Sequence, residues 1–148
     1  MIRKANKKDI DTIARFQTLM AEETEGLTLD RETVTKGVSS VFEDPAKGFY
    51  LVNEQDGIII ACLMITPEWS DWRSQTIWWI QSLYVEPVWR KKGIFRELYQ
   101  YLKELISGDD SAGGIRLYVD KTNSRAIKAY QALGMNGEHY QMFEDMKT

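Results

Sequence analysis

The ten residues TIWWIQSLYV, at positions 76–85, constrain the fold more than any other part of the sequence. They are almost all apolar and rich in aromatic and β-branched side chains, which favours a central strand buried on both faces. Pro87 and Gly93 then break the pattern, and apolar residues recur at helical spacing from Ile94 to Leu105. A buried strand that leads through a glycine turn into an amphipathic helix predicts an α/β fold.

Capping residues, turn signals and apolar periodicity define the other elements. The order is βααβββαβαβ, which predicts one α/β domain over residues 1–148 with a mixed sheet. We expect strands at 2–6, 48–54, 58–66, 76–85, 115–120 and 137–146, helices from a cap at Asn6 to about residue 23 and at 31–44, 94–105 and 121–135, and loops at 67–75 and 107–114.

The composition excludes several classes of protein. A net charge of -3 argues against a non-specific nucleic-acid binder. No apolar run approaches the roughly 18 residues of a membrane span, and the start MIRKANKKDID lacks the apolar region of a signal peptide. One histidine and one cysteine are too few for a His/Cys metal site or a Ser-His or Cys-His catalytic pair. A lone Cys62 suits a reducing compartment, so we expect a cytoplasmic protein without a metal.

Four cations, Arg90, Lys91, Lys92 and Arg96, surround Gly93 with no acid among them. Glycine lets backbone amides converge, and the start of a helix attracts phosphate through its unpaired amides and its dipole. An exposed basic entry turn is the alternative interpretation. The patterns GxxxxGK[ST] and GxGxxG are absent, which disfavours a P-loop or a dinucleotide fold.

A second motif, NSRAIKAYQALGM, spans residues 123–135. Asn123 is suited to capping the helix, and Tyr130 lies on the face that would pack against the sheet. These structural roles are sufficient to explain both residues. Lys121, Arg125 and Lys128 nevertheless form a second basic cluster without acids, which could face the same anion.

Together the two motifs resemble those of the GNAT superfamily of acetyl-CoA-dependent N-acetyltransferases. The shared order is a strand, an R/Q-x-x-G-x-G/A loop, a helix, a second strand and an N-x-x-A-x-x-x-Y-x-x-x-G-[F/M] helix. The resemblance implies a GNAT-like, mostly antiparallel sheet with a splayed central parallel strand pair that binds acetyl-CoA. The matching residues are Arg90 and Gly93 in the first motif and Asn123, Ala126, Tyr130, Gly134 and Met135 in the second.

The resemblance also implies roles for individual residues. The strand that ends at 83–85 would bulge and pair with the pantetheine arm, the loop would hold the pyrophosphate, and Tyr130 would protonate the departing thiolate as general acid. Phe95 stands where the family usually has Gly or Ala, and we expect it to turn into the core. The implied cofactor-binding residues are Leu83, Tyr84, Val85, Arg90, Lys91, Lys92, Gly93, Ile94, Phe95, Arg96, Asn123, Arg125 and Tyr130.

The motifs specify the general base and the acceptor site less closely than the cofactor site. Many relatives carry a carboxylate near positions 81 and 82, where this chain has Gln81 and Ser82. The candidate bases are therefore the acids of AEETEG or PEWSDW, although solvated surface acids are the alternative. These acids are Glu22, Glu23, Glu25, Glu68 and Asp71, of which we select Glu25 and Glu22 as catalytic, and the expected acceptor-binding residues are Glu22, Glu25, Trp69, Trp72, Trp79 and Gln81.

The expected function is acetyl transfer from acetyl-CoA to a primary amine of a small molecule or peptide, by direct attack in a ternary complex. A homodimer is an expected assembly, and neither nucleic acid nor a membrane is an expected partner. One alternative is a catalytically silent acyl-CoA-binding regulatory module on the same fold. Another is a phosphate or nucleic-acid binder that uses only the basic cluster.

Overall fold

The computed structural model describes residues 1–147 and contains strands and helices in the order βααβββαβα, with three short 3-10 turns. The strands are β1 (Ile2–Lys4), β2 (Phe49–Gln55), β3 (Ile58–Ser70), β4 (Gln75–Val85) and β5 (Ala112–Arg116). The helices are α1 (Ile10–Glu25), α2 (Arg31–Glu43), α3 (Ile94–Ser107) and α4 (Ser124–Ala132). None of the helices in this range has the length and apolar character that crossing a membrane requires.

The chain divides into two compact units, Met1–Arg116 and Leu117–Thr148. The first unit contains the five strands of the sheet and helices α1, α2 and α3. The second unit contains α4. A single domain over residues 1–148 stays a prediction.

The sheet has the strand order β1-β2-β3-β4-β5. The first three pairings are antiparallel, and β4 pairs with β5 in parallel. The parallel pair follows from the chain path, because α3 carries the chain back to the same end of the sheet before β5 begins. The expected α/β fold with a mixed, mostly antiparallel sheet is therefore confirmed.

β4 has two irregularities near the middle of the sheet. Its ladder with β5 ends at the pair Trp79↔Arg116, whereas β4 itself continues to Val85. On its other side, the register against β3 shifts by one residue between Cys62 and Met64, and Ser82 adopts φ +53°. This is the geometry of a β-bulge, in which one extra residue bends the strand, and a bulge is what the family resemblance implied here.

The core of the first unit lies on both faces of the sheet. On one face, α1 and α2 bury Ile13, Phe16 and Val38 against the sheet residues Cys62 and Tyr84. On the other face, α3 packs along β2 and buries Ile94, Leu98 and Leu102. The helical spacing that predicted α3 therefore corresponds to its buried stripe.

The prediction of a loop at 67–75 is wrong for the first residues of that segment. Pro67–Ser70 continues β3, and only residues 71–74 form the turn. Proline disfavours an internal strand position because it lacks an N–H group. Pro67 is tolerated because it lies beyond Ile65, the last β3 residue that pairs with β2, and therefore has a strand on one side only.

Two other strand predictions also require correction. The strand predicted at 115–120 begins earlier, at Ala112, and its ladder ends at Arg116. The strand predicted at 137–146 is not formed, and residues 138–147 have no regular secondary structure apart from bends at 138 and 139. Composition is a weak guide to strand formation, because strand propensity depends strongly on the surrounding structure.

Candidate functional site

The loop between β4 and α3 forms a concave group of backbone amides. Lys91 and Gly93 adopt left-handed conformations with φ +63° and +79°, which fold the chain tightly before α3. The Glu97 amide donates to the Gly93 carbonyl over 3.1 Å. Amides that precede this bond, such as those of Ile94 and Arg96, have no acceptor within a helix. The arrangement therefore favours an anion at the start of α3.

The space above Gly93 is open. A Cβ atom built at this position would meet no heavy atom of the described residues within 4 Å. Phe95 is half-buried, and its ring centroid lies 6.1 Å from that of Tyr99, one turn further along α3. Its side chain thus leaves the space above Gly93 accessible to a ligand.

The cations around the loop differ in their surroundings. Lys91 and Arg96 are exposed. The ammonium group of Lys92 lies 5.4 Å from the ring centroid of Trp89, within the range of a cation–π contact. These three side chains leave positive charge close to the open amides, which suits a ligand with several phosphate oxygens.

Within residues 1–147, Arg90, unlike the other three cations, forms hydrogen bonds with other residues of the protein. Its Nε donates to the carbonyl of Val85 over 2.8 Å, and its guanidinium forms a 2.8 Å ion pair with Glu23 of α1. The guanidinium also lies 5.4 Å from the ring centroid of Tyr84, whose hydroxyl donates to Glu23 over 3.4 Å. Arg90 therefore joins the end of α1 to the end of β4.

The backbone N–H and C=O groups of successive β4 residues point alternately towards β3 and towards the side of β5. The Glu86 amide donates to the carbonyl of Ile60 on β3 over 2.9 Å. Successive residues of a strand point their polar groups to opposite sides, so Leu83 and Val85 face the side where β5 no longer pairs. They can present backbone donors and acceptors there, although the Val85 carbonyl already accepts from Arg90.

The Tyr84 side chain lies in the buried core of the first unit. Its ring is buried and lies 4.8 Å from the ring of Phe16, between centroids. Its backbone is paired with Cys62 of β3. The side chain of Tyr84 thus supports the packing of α1 on the sheet.

A buried cysteine thiol on β3 forms a hydrogen bond with the bulge of β4. Cys62 Sγ donates to the Ser82 carbonyl over 3.8 Å and accepts from the Gln17 side-chain amide over 3.9 Å. Burial raises the pKa of Cys62 to about 12, so the thiol stays protonated and can donate at neutral pH. Gln17 of α1 therefore contacts the bulge through Cys62.

A polar cluster lies on the sheet near the β3–β4 turn. The indole Nε1 of Trp79 donates to Glu68 over 2.6 Å, and Arg116 donates to both oxygens of that carboxylate, over 3.0 and 3.2 Å. The hydrogen bond from Trp79, followed by those from Arg116, lowers the pKa of Glu68. Glu68 is thus held as an anion and is a weak candidate for a general base.

The other predicted acceptor residues occupy different environments. Gln81 donates to the hydroxyl of Thr66 over 2.7 Å, on the same face of the sheet as Trp79. Trp69 and Trp72 are 64% and 93% exposed, so neither indole contributes much to the core. Exposed tryptophans of this kind are available to bind a ligand or another protein.

Glu22 and Glu25 are exposed in the last turn of α1. The helix ends at Gly26, which takes the left-handed conformation with φ +62° and lets the chain turn away. Of the three acids in AEETEG, Glu23 is the one that pairs with the loop cation Arg90. The catalytic assignment of Glu22 and Glu25 stays a prediction.

The second motif has the local geometry of a capped helix. The Asn123 side chain accepts from the Ala126 amide over 3.1 Å, and Gly134 turns left-handed with φ +87° after α4 ends. Tyr130 is half-buried, and burial raises the pKa of its phenol. A phenol that stays protonated at neutral pH can serve as a general acid. Arg125 is exposed in the first turn of the helix.

The sequence interpretation missed Thr66 and Arg116. Arg116 meets Trp79 because the two residues are partners in the parallel ladder, and Thr66 meets Gln81 across the β3–β4 hairpin. Both pairs depend on strand register, which the hydrophobic pattern at 76–85 did not determine. Within residues 1–147, no group of three or more His, Cys, Asp or Glu side chains could hold a metal ion.

Known proteins resemble the chain in both sequence and fold. The family model described as "Acetyltransferase (GNAT) family" matches residues 9–135. The crystal structure of a possible acetyltransferase from Clostridium difficile 630 is 42% identical, with a TM-score of 0.93 over 100% of this chain and 97% of that chain. No curated protein matches the chain.

Two more distant crystal structures share the fold. A predicted acetyltransferase with acetyl-CoA from Clostridium acetobutylicum is 17% identical, with a TM-score of 0.75 over 97% of this chain and 95% of that chain. A ribosomal-protein-alanine N-acetyltransferase from Brucella melitensis biovar Abortus 2308 is 14% identical, with a TM-score of 0.80 over 99% of each chain.

Proposed function

The chain belongs to the GNAT acetyltransferase family, and on that premise we propose that it transfers the acetyl group of acetyl-CoA to a primary amine. The acceptor is a small molecule or a peptide, and its amine attacks the thioester directly in a ternary complex. The observation that carries the proposal is the open group of amides at Gly93, beside a strand whose bulge frees its backbone. A single buried thiol and the absence of a membrane-crossing helix in residues 1–147 suit our proposal of a cytoplasmic enzyme.

The described residues fit the donor. Acetyl-CoA, when bound, supplies an acetyl thioester and a good leaving group. The amides at the start of α3, with Lys91, Lys92 and Arg96 beside them, would hold the pyrophosphate. Backbone groups of Leu83 and Val85 would pair with the pantetheine arm in the manner of an added strand. The amides near the bulge would polarise the thioester carbonyl.

Tyr130 is the proposed general acid that protonates the departing thiolate. The raised pKa of its phenol supports this role, because the proton is retained until the leaving group needs it. Asn123 holds the start of α4, on which Tyr130 lies, and so acts as a positioning residue in addition to its predicted contact with the cofactor.

The acceptor ammonium must lose a proton before it attacks. Glu22 or Glu25 is the proposed base, directly or through water, because each is an exposed carboxylate at the end of α1. Gln81, Trp79 and the exposed Trp69 and Trp72 are the proposed acceptor-binding groups. Aromatic faces and carboxylates together favour a cationic acceptor.

The activity is tested by release of free thiol from acetyl-CoA in the presence of a panel of primary amines, amino acids and peptides. Turnover with at least one amine, with the acetylated product identified by mass spectrometry, is the expected result. Binding of acetyl-CoA without turnover of any acceptor would contradict the proposal and favour the catalytically silent module. Gln81 and Ser82, which stand where many relatives carry an acid, are the residues that favour this second function.

Cofactor binding is tested separately with Gly93→Ala, measured by calorimetry with acetyl-CoA. The matched control is Gly57→Ala in the β2–β3 turn, because Gly57 and Gly93 have φ +78° and +79° and both have open space at the Cβ position. Both variants should lose about 1–2 kcal/mol of stability, because alanine is strained in the left-handed conformation. Only Gly93→Ala should weaken acetyl-CoA binding, by about 10-fold or more for a lost charge-assisted hydrogen bond. Equal affinities of the two variants would place the phosphate site elsewhere.

A further inference from the structure

The bulge of β4 interrupts regular pairing at one peptide group. Between two paired positions of the β3–β4 ladder, β3 has one residue, Leu63, whereas β4 has two, Ser82 and Leu83. A bulge of this kind disrupts the ladder locally and leaves the extra residue outside it. Ser82 adopts φ +53°, which is uncommon for a residue other than glycine. The direction of the peptide group between Ser82 and Leu83 is therefore not fixed by regular pairing.

A side chain of β3 contacts this peptide group. The Sγ atom of Cys62 lies 3.8 Å from the carbonyl oxygen of Ser82, and the side-chain amide of Gln17 donates to the same sulfur over 3.9 Å. Because the sulfur accepts from Gln17, its own proton can point to the Ser82 carbonyl. The thiol is fully buried, and burial raises its pKa to about 12, so it keeps this proton at neutral pH. A thiol is a weak donor, but burial shields this one from competing water.

The peptide plane transmits this contact to the far side of β4. The peptide bonds of the described residues are all trans, so the Ser82 carbonyl and the Leu83 N–H point in opposite directions from one rigid plane. A carbonyl that is held towards β3 directs the Leu83 N–H away from β3. It then points to the side where the ladder with β5 has ended. The proposed function expects the thioester end of the pantetheine arm on that side.

We propose that Cys62 is a positioning residue for acetyl transfer, because its thiol holds the Ser82 carbonyl and thereby aims the Leu83 amide that would polarise the thioester. Gln17 acts with it, since it holds the sulfur from α1. A donor that is aimed in advance at developing negative charge lowers the barrier without reorganisation during the reaction. The chemical part of this inference rests on the proposed function, whereas the direction of the amide is a property of the free protein.

A purely structural role for Cys62 predicts a different order of variants. Cys62 belongs to the apolar core cluster that contains Phe16 and Tyr84. If it were only a small apolar residue, Cys62→Ala would be the milder change, and Cys62→Ser, which buries a hydroxyl group, would be the more harmful one. If the thiol acts as a donor, the order in kcat is reversed, because serine keeps a donor and alanine has none. The two variants therefore separate the two roles.

The first test measures the direction of the Leu83 N–H bond in the protein without a ligand, from residual dipolar couplings of the backbone amides. Cys62→Ala should change the Leu83 coupling, and Cys62→Ser should restore it. Val52→Ala is the matched control, because Val52 is buried in the same cluster and pairs with Cys62 from β2, on the side of β3 away from β4. It should leave the Leu83 coupling as in the wild type. An unchanged coupling in Cys62→Ala would overturn the proposal, whether or not the chain transfers acetyl groups.

The second test compares kcat with the affinity for acetyl-CoA. Cys62→Ala should lower kcat about 3- to 10-fold, the scale of one net hydrogen bond. The Kd of acetyl-CoA should change less than about 2-fold, because the thiol lies on the other side of the peptide plane from the proposed thioester position. Cys62→Ser should recover most of kcat. A lower kcat in Cys62→Ser than in Cys62→Ala, or an affinity that falls together with kcat, would show that the role is only structural.

A double-mutant cycle tests the part of Gln17. Gln17→Leu keeps a side chain of similar size but removes the donor to the sulfur, and it should lower kcat less than Cys62→Ala does. In the Cys62→Ala background it should have no further effect, because both residues act through the same hydrogen bond to Ser82. Additive losses in the double variant would show that Gln17 does not act through Cys62. Absence of turnover in the wild-type chain would contradict the proposed function, and the amide couplings would still decide whether Cys62 orients Leu83.

Discussion

At the scale of single residues, the site depends on a few side chains with different tasks. Lys91, Lys92 and Arg96 supply positive charge near open amides, whereas Arg90 is engaged with Val85 and Glu23. Arg90 and Gly93 belong to the same motif, yet one holds the end of β4 and the other leaves space for a ligand. Motif residues therefore need not all contact the cofactor through their side chains.

Arg90→Lys tests the positioning role of Arg90. Lysine keeps the charge but cannot bond Val85 and Glu23 with the same planar group, so the end of β4 loses a constraint. We expect acetyl-CoA binding to weaken about 3- to 10-fold, the scale of one net hydrogen bond. Arg96→Lys is the matched control, because Arg96 is an exposed member of the same cluster, and it should change the affinity less than 2-fold, about 0.4 kcal/mol. A loss below about 2-fold in Arg90→Lys, no larger than that in Arg96→Lys, would show that Arg90 acts through its charge alone.

Tyr130→Phe tests the general acid. Removal of the phenol should lower kcat about 100-fold or more, while acetyl-CoA affinity changes little, because the proton is needed only when the thiolate departs. Calorimetry and steady-state kinetics provide the two readouts. Tyr101→Phe on α3 is a control for loss of a phenol elsewhere. An unchanged kcat, with chemistry shown to be rate-limiting, would remove Tyr130 from the mechanism.

At the scale of elements, the bulge in β4 gives a regular sheet a local opening. Ser82 with φ +53° and the shifted register against β3 bend the strand where the β5 ladder has ended. Cys62 and Gln17 connect the bulge to α1. The first unit thus supports its irregular segment from both the sheet and the helix layer.

Substitutions of Ser82 test this element. Ser82→Val places a β-branched side chain in the left-handed region and should destabilise the fold by about 1–3 kcal/mol. Ser82→Asn should be tolerated within about 0.5 kcal/mol, because asparagine accepts this conformation. Urea unfolding gives the stabilities, and acetyl-CoA turnover should fall only in the valine variant. Similar stabilities of both variants would mean that the backbone relaxes out of the left-handed conformation.

At the scale of the whole molecule, the buried titratable groups set the response to alkaline pH. Burial raises the pKa of Cys62 to about 12, from an ordinary value of 9.0. Burial likewise raises the pKa of Tyr50 to about 12, from 10.0. Both groups therefore hold their protons more tightly in the folded state than in the unfolded state.

Stability should consequently fall as pH rises above about 9. The unfolded chain ionises first, so the contribution of each group is fully present below its unfolded pKa and is lost as pH rises towards about 12. One such proton changes the free energy of unfolding by about 1.4 kcal/mol per pH unit. Cys62→Ala should reduce this slope between pH 9 and 10, where Cys62 titrates in the unfolded chain. Urea titrations across that range measure it, and an identical slope in both proteins would contradict the assignment.

The sequence by itself determined the family motifs, the helices and the long central strands. Apolar periodicity fixed α3, asparagine and glycine marked the ends of α4, and the buried run at 76–85 became β4. These features are local, because capping, backbone conformation and side-chain periodicity are encoded within a few turns or residues.

Only the tertiary structure decided which distant residues meet. The pairing of Glu68 with Trp79 and Arg116 depends on strand register, and the contact of Glu23 with Arg90 joins residues far apart in the chain. The irregular conformation of residues 138–147, whose composition favours a strand, was likewise not evident from the sequence. Strand register and long-range contacts depend on the whole fold, and the sequence of one segment does not specify them.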